Sequence, residues 1–80
     1  MPRYFFDVHD GALVPDHEGL DMDDPEVVAA EALKIVTDVA RLEQLAQTRR
    51  QLSVTVRNAA GRAVYRAEVT IRAGWLVGAG

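Results

Sequence analysis

QLSVTVRNAAGRAVYRAEVTIR, residues 51–72, is the stretch that decides the fold. Gln51 to Arg57 alternates cleanly, so Leu52, Val54 and Val56 share one face of a strand and Ser53, Thr55 and Arg57 share the other. Asn58-Ala59-Ala60-Gly61-Arg62 then reads as a hairpin loop, with Gly61 supplying the positive φ of a bulged turn. The alternation resumes from Ala63 to Ala73, placing Tyr65, Ala67, Val69 and Ile71 inward and Arg66, Glu68, Thr70 and Arg72 outward. A hairpin with one apolar face needs a second layer to cover that face.

The covering layer precedes it. Val28, Ala32, Ile35, Val36, Val39, Leu42 and Ala46 recur at spacings of three and four, the stripe of an amphipathic helix. That helix is expected to run to about Thr48, roughly 36 Å at 1.5 Å per residue. Arg49 and Arg50 then fall near its end, where the helix dipole favours cations. Its start has two readings. With Asp23 as cap, Glu26 completes a capping box and Met22 and Val27 form a hydrophobic staple. With Asp24 as cap, Pro25 takes the first helical position, where its missing N–H costs nothing.

Arg3 to Asp10 reads as a first strand, with Tyr4, Phe6 and Val8 on one face and Phe5, Asp7 and His9 on the other. Asp10-Gly11 is a tight-turn signal, and Ala12-Leu13-Val14 is a candidate short return strand ended by Pro15. The expected class is therefore α+β: one long amphipathic helix on a three- to four-stranded antiparallel sheet, in the order β-(β)-α-β-β. Eighty residues make one domain with no room for a second core. Trp75 and Leu76 are expected first to cover one end of that core, the alternative being an exposed apolar patch that marks an interface, and residues 76–80 to form a frayed tail.

Three pieces together, the opening MPRYFFDVHDG, the following D-x-E-G-L-D and the helix start DPEVVAAEAL, resemble a family of short, uncharacterised proteobacterial proteins. Members open on an M-x-R-Y-F-F-D-like strand, pass an acidic turn into an Ala-rich helix, and finish on a hairpin carrying V-x-V-R-x-x-x-G-R. Here that last element is Val54 to Arg62, and the resemblance covers about residues 1–72. It implies the same strand–helix–hairpin fold and no particular activity. A more limited similarity to HicB-type antitoxins covers residues 16–36, although the strand order differs.

The segment DHEGLDMDDPE, residues 16–26, holds six carboxylates and a histidine. His9, Asp10, Asp16, His17, Glu18, Asp21, Asp23 and Asp24 are the nearest thing to a metal-ligand set. Their spacing matches neither a paired-histidine helix face nor an EF-hand loop, in which Gly, and not Asp21, would stand sixth from Asp16. A solvated acidic loop leading into a helix cap is the expected role. Gly19 serves a turn, which leaves Asp16, His17, Glu18 and Asp21 without a structural task and makes them the acidic-loop candidates for binding.

There is no cysteine, which excludes disulfides, thiolate metal sites and thiol nucleophiles. Ser53 lies on a strand with no evident triad, and one helix on a small sheet leaves little room for a closed pocket. No enzyme activity and no cofactor are expected. The N-terminal apolar run is too short for a signal peptide, and no segment approaches the ~20 residues of a membrane span, so the expected location is the cytoplasm. The net charge of −3 divides unevenly: residues 1–26 carry −7 and residues 27–80 carry +4. Such halves attract one another within a chain or between copies. The expected function is non-catalytic: protein interaction or self-association, with a homodimer or other homo-oligomer as the simplest case. Phe5, Arg57, Arg66, Arg72 and Trp75 are the candidate interaction surface. The alternative is a regulatory nucleic-acid-binding or antitoxin-like module using the arginines of the sheet face.

Overall fold

A computed structural model describes residues 2–42 and 49–77. The elements are β1 (Arg3–His9), β2 (Leu13–Val14), β3 (Leu20–Asp21), α1 (Pro25–Leu42), β4 (Arg49–Arg57) and β5 (Ala63–Arg72). One helix lies against an antiparallel sheet ordered β2-β1-β4-β5, with β3 also pairing β1. This is the α+β architecture that the hairpin and the helical stripe require.

The hairpin is built as its alternation dictates. Val54 faces Ala67 and Leu52 faces Val69 across β4 and β5. The Asn58 carboxamide oxygen accepts from the backbone N–H of Ala60 and of Arg62, both at 3.0 Å, and Gly61 has φ +83°. Any other residue at that φ would crowd its Cβ against the backbone.

Asp24, and not Asp23, caps α1. Its carboxylate accepts from the N–H of Glu26 at 2.9 Å, and its carbonyl accepts from Val27 and Val28. Pro25 thus occupies the first helical position. The staple pairing fails with this choice: Met22 packs on the core, while Val27 is half-exposed. Val28, Ala32 and Val36 are buried against Phe6, Leu52, Val54, Val56 and Ala67, with Ile35 and Val39 at the margin of the cluster. The expected extension of the helix to Thr48, with Ala46 on its stripe, lies outside the described residues.

Three expectations change. Arg49 and Arg50 belong to β4, opposite Arg72 and Ile71, and not to the last turn of a helix. The strand pattern begins two residues earlier than alternation of apolar residues could reveal, because Arg49, Arg50 and Gln51 carry no apolar signal. Trp75 and Leu76 do not close the core: Trp75 is 83% exposed, Leu76 101% and Val77 79%. The chain has left the sheet at Arg72, so these side chains no longer follow its inner face. Lastly, β3 is an added strand, too short to show any alternation.

Candidate functional site

β2 and β3 are two halves of one interrupted edge strand. Val14 pairs with Val8 and Leu20 pairs with Tyr4, so both run antiparallel along the same edge of β1. Between these anchors the chain uses residues 15–19 to pass only Phe5, Phe6 and Asp7. The surplus must leave the ladder, and it folds over the sheet face that α1 does not cover.

Asp16 repairs the gap. Its Oδ2 accepts from the N–H of Phe6 at 3.1 Å, taking the place of a missing strand carbonyl. Its Oδ1 accepts from the N–H of Glu18 at 3.0 Å and of Gly19 at 3.2 Å, an Asx-type turn. Burial raises the Asp16 pKa, but these three backbone donors outweigh it and hold the carboxyl below its ordinary value. Gly19 has φ +73°, and a Cβ there would stand 2.8 Å from the Tyr4 carbonyl oxygen. Both constraints demand glycine.

Asp7 ties this segment to the hairpin. It projects from β1 on the uncovered side, yet only 8% of it reaches solvent, because the 15–19 segment closes over it. Arg57 donates from Nε to Asp7 Oδ2 at 2.6 Å and from Nη2 to Asp7 Oδ1 at 3.0 Å, a bidentate pair. The same Nη2 reaches the Asp16 carbonyl at 3.2 Å, and Asp16 N–H donates to Asp7 Oδ1 at 2.9 Å. Arg57 holds Asp7 below the ordinary carboxylate range against the opposing effect of burial, and Asp7 in turn raises Arg57. The guanidinium carbon lies 5.1 Å from the centre of the Phe5 ring, its cross-strand neighbour, in cation–π range.

Of the sequence candidates, the structure therefore brings Phe5, Arg57 and Asp16 together, with Asp7 as the centre that sequence reading missed. Arg57 is engaged inside the fold. Asp21 accepts from Arg3 in a second, more exposed pair at 3.1 and 3.3 Å, and the Glu18 carbonyl accepts from Arg3 as well. Asp16 and Asp21 thus have structural tasks, contrary to expectation. His17 and Glu18 are exposed on the outside of the loop. Among the described residues no group of three His, Asp or Glu side chains is placed to hold a metal ion. Arg66 and Arg72 lie elsewhere, on β5, where Arg66 pairs with Glu68 at 3.1 Å.

Two depressions lie outside this network. One, of about 290 Å³, is lined by Tyr4, Pro25, Val28, Asn58, Val64 and Tyr65. The other, of about 300 Å³, lies by His9, Gly11, Gln51, Ser53 and Arg66. Tyr65 borders the first and is more exposed than its inward register implies, because a register shift beside Arg57 interrupts the hairpin there.

These features define a small α+β domain whose uncovered sheet face is occupied partly by its own polar loop. The chain belongs to a family described as a domain of unknown function (DUF6894), whose model matches residues 3–70. That match takes in the interrupted edge strand, the helix and nearly all of the hairpin. No curated protein and no solved structure matches the chain.

Proposed function

We propose that this chain is a non-catalytic interaction module of the cytoplasm, which self-associates or docks on a partner protein through β5 and the segment that follows it. The observation carrying this reading is the run Trp75-Leu76-Val77, nearly wholly exposed directly beyond the outermost strand. Three large apolar side chains in succession, held in water, gain free energy when a second surface removes them from it. The polar network contributes no competing chemistry: Asp7, Asp16 and Arg57 satisfy one another, and each carboxylate is held in its ionised form. Acid/base catalysis uses carboxyls displaced the other way. No helix among the described residues is long and apolar enough to cross a membrane.

Trp75 is the only tryptophan, so its fluorescence reports on this surface alone. Raising the concentration from micromolar to millimolar should shift its emission to the blue while the mass measured by light scattering rises. If the chain stays monomeric, adding the authentic partner should produce the same shift. Emission that stays fully solvated in concentrated protein, with no protein from native-cell extract retained by the immobilised chain, would defeat the reading.

A further inference from the structure

β5 is the outer strand of the sheet among the described elements, and its free edge runs ten residues, from Ala63 to Arg72. Such an edge presents unpaired N–H and C=O groups to any strand that can align with it. Proteins blunt exposed edges with charged side chains, proline, bulges or inward-pointing charges, and a charged row repels a second strand only where it meets charges of the same sign. Here the outward row reads Arg66, Glu68, Thr70, Arg72, of mixed sign, and Arg66 and Glu68 already lie within 3.1 Å of each other.

We infer that the partner is a second copy of this chain, paired antiparallel edge to edge through β5. This rests on the interaction reading above and specifies its surface. A two-fold axis perpendicular to the sheet keeps both helices on one side and makes the contact isologous, so that each pairing occurs twice. It also requires opposed residue numbers to add to an even value, because outward side chains must meet outward side chains.

Charge selects among these registers. Centring the axis on Arg66 or on Glu68 opposes each to its own copy, and centring it on Val69 opposes Arg66 to Arg72. All three place like charges face to face. Two registers oppose unlike charges. Centring on Thr70 sets Glu68 against Arg72 but pairs only residues 68–72 within the strand. Centring on Ala67 sets Arg66 against Glu68 of the second copy, twice, and pairs residues 63–71. On the helix side the same register places Tyr65 beside Val69 of the second copy, an aromatic–β-branched pair of the kind sheets favour. The longer register wins on backbone pairing with no loss of charge complementarity.

In the Ala67 register the last pair is Ala63 with Ile71, so Arg72 and the exposed segment beyond it stand at the rim of the paired edges.

The test uses two charge reversals of the full chain, followed by sedimentation equilibrium and by Trp75 emission. Arg66→Glu makes both charge pairs acidic, and Glu68→Arg makes both basic, so each variant alone should dimerise roughly tenfold more weakly than the wild type. Mixed together, every pair again opposes an acid and a base. The mixture should therefore recover wild-type affinity as a heterodimer, an outcome that neither loss of folding nor a general change in charge can produce. Arg72→Glu should leave dimerisation unchanged, since residue 72 lies outside the Ala67 register.

Wild-type association that ignores both reversals overturns the edge pairing while leaving self-association standing. Sensitivity to Arg72→Glu together with insensitivity to Arg66→Glu overturns this register in favour of the Thr70 one. A wild-type chain that stays monomeric at millimolar concentration overturns pairing with a second copy, whatever other partner the surface then binds.

Discussion

On the helix side of the sheet, Phe6, Leu52, Val54 and Val56 meet Val28, Ala32 and Val36 of α1. On the other side the same two central strands carry Asp7 and Arg57 beneath a folded loop. The first face excludes water by apolar packing, which is tolerant of sequence so long as volume and pattern are kept. The second excludes it over a smaller area by directional bonds, each fixed by one donor and one acceptor. Side chains that are interchangeable on one face have specific assignments on the other. The molecule is thus held by a nonspecific layer and a specific one, and substitutions should separate them by size and by response to pH.

The largest effect belongs to the apolar face. Leu52 is 1% exposed, and Leu52→Ala removes buried methyl groups while leaving a cavity beneath α1. A loss of about 3 kcal/mol is expected, a large fraction of the ~4–12 kcal/mol available to a chain this short. Urea unfolding at neutral pH and again at acid pH should give the same decrement, since no charge is involved. A decrement that changes with pH would mean that the two faces are coupled more tightly than their separate bonding implies.

Gly19→Ala tests the folded loop without touching a charge. The new Cβ would sit at positive φ and within 2.8 Å of the Tyr4 carbonyl oxygen, a backbone atom of β1 that has no room to retreat. About 2 kcal/mol is the expected cost, less than at Leu52 because the strain can be relieved by releasing residues 15–19. Hydrogen exchange should show that release: the amide of Phe6, bonded only to the Asp16 carboxylate on that edge, should lose protection before the amides of β4 do. Equal loss across the sheet would contradict a locally held loop.

The difference between the faces also explains what could be read from sequence. Period-two alternation in residues 51–72 and the three-and-four spacing from Val28 to Val39 report one property, which side of an element is apolar, and they gave the helix side almost completely. The open face depends on register. Asp7 and Arg57 lie fifty positions apart, and only the pairing of Phe5 with Arg57 brings them together. A partial signal was present: an aspartate at the centre of an aromatic strand invites a cation on the neighbouring strand, but on an open face it is equally at home in water. Likewise the acidic run did not reveal that residues 15–19 outnumber the three they pass. That count follows only once Val14 and Leu20 are seen to share one neighbouring strand. Trp75 shows the opposite failure, in which apolar character was taken to mean burial although the strand had already ended.

Asp7→Asn tests the polar layer directly. The amide keeps its shape and can still accept from Asp16 N–H, but it removes the charge that the Arg57 guanidinium answers. At neutral pH a cost of about 1.5–2 kcal/mol is expected, the low end of the range for a hydrogen bond to a charged group, because Arg57 remains partly in water. Its pH dependence is the stronger evidence. The Asp7 carboxyl is held below 3.8 in the folded chain, chiefly by Arg57. A carboxyl depressed on folding contributes stability that is fully present above its unfolded pKa and is lost as pH falls through the folded value. The wild type should therefore be destabilised as pH drops below 3.8, and the gap between wild type and Asp7→Asn should narrow over that same interval. The variant should still lose some stability there, because the Asp16 carboxyl is depressed by its own backbone donors and remains in place. A gap that persists undiminished as the pH falls well below 3.8 and the wild-type carboxyls take up protons would show that Asp7 acts through its shape and neutral hydrogen bonds. The open face would then be held by packing of the loop, and the contrast with the helix side would be one of area alone.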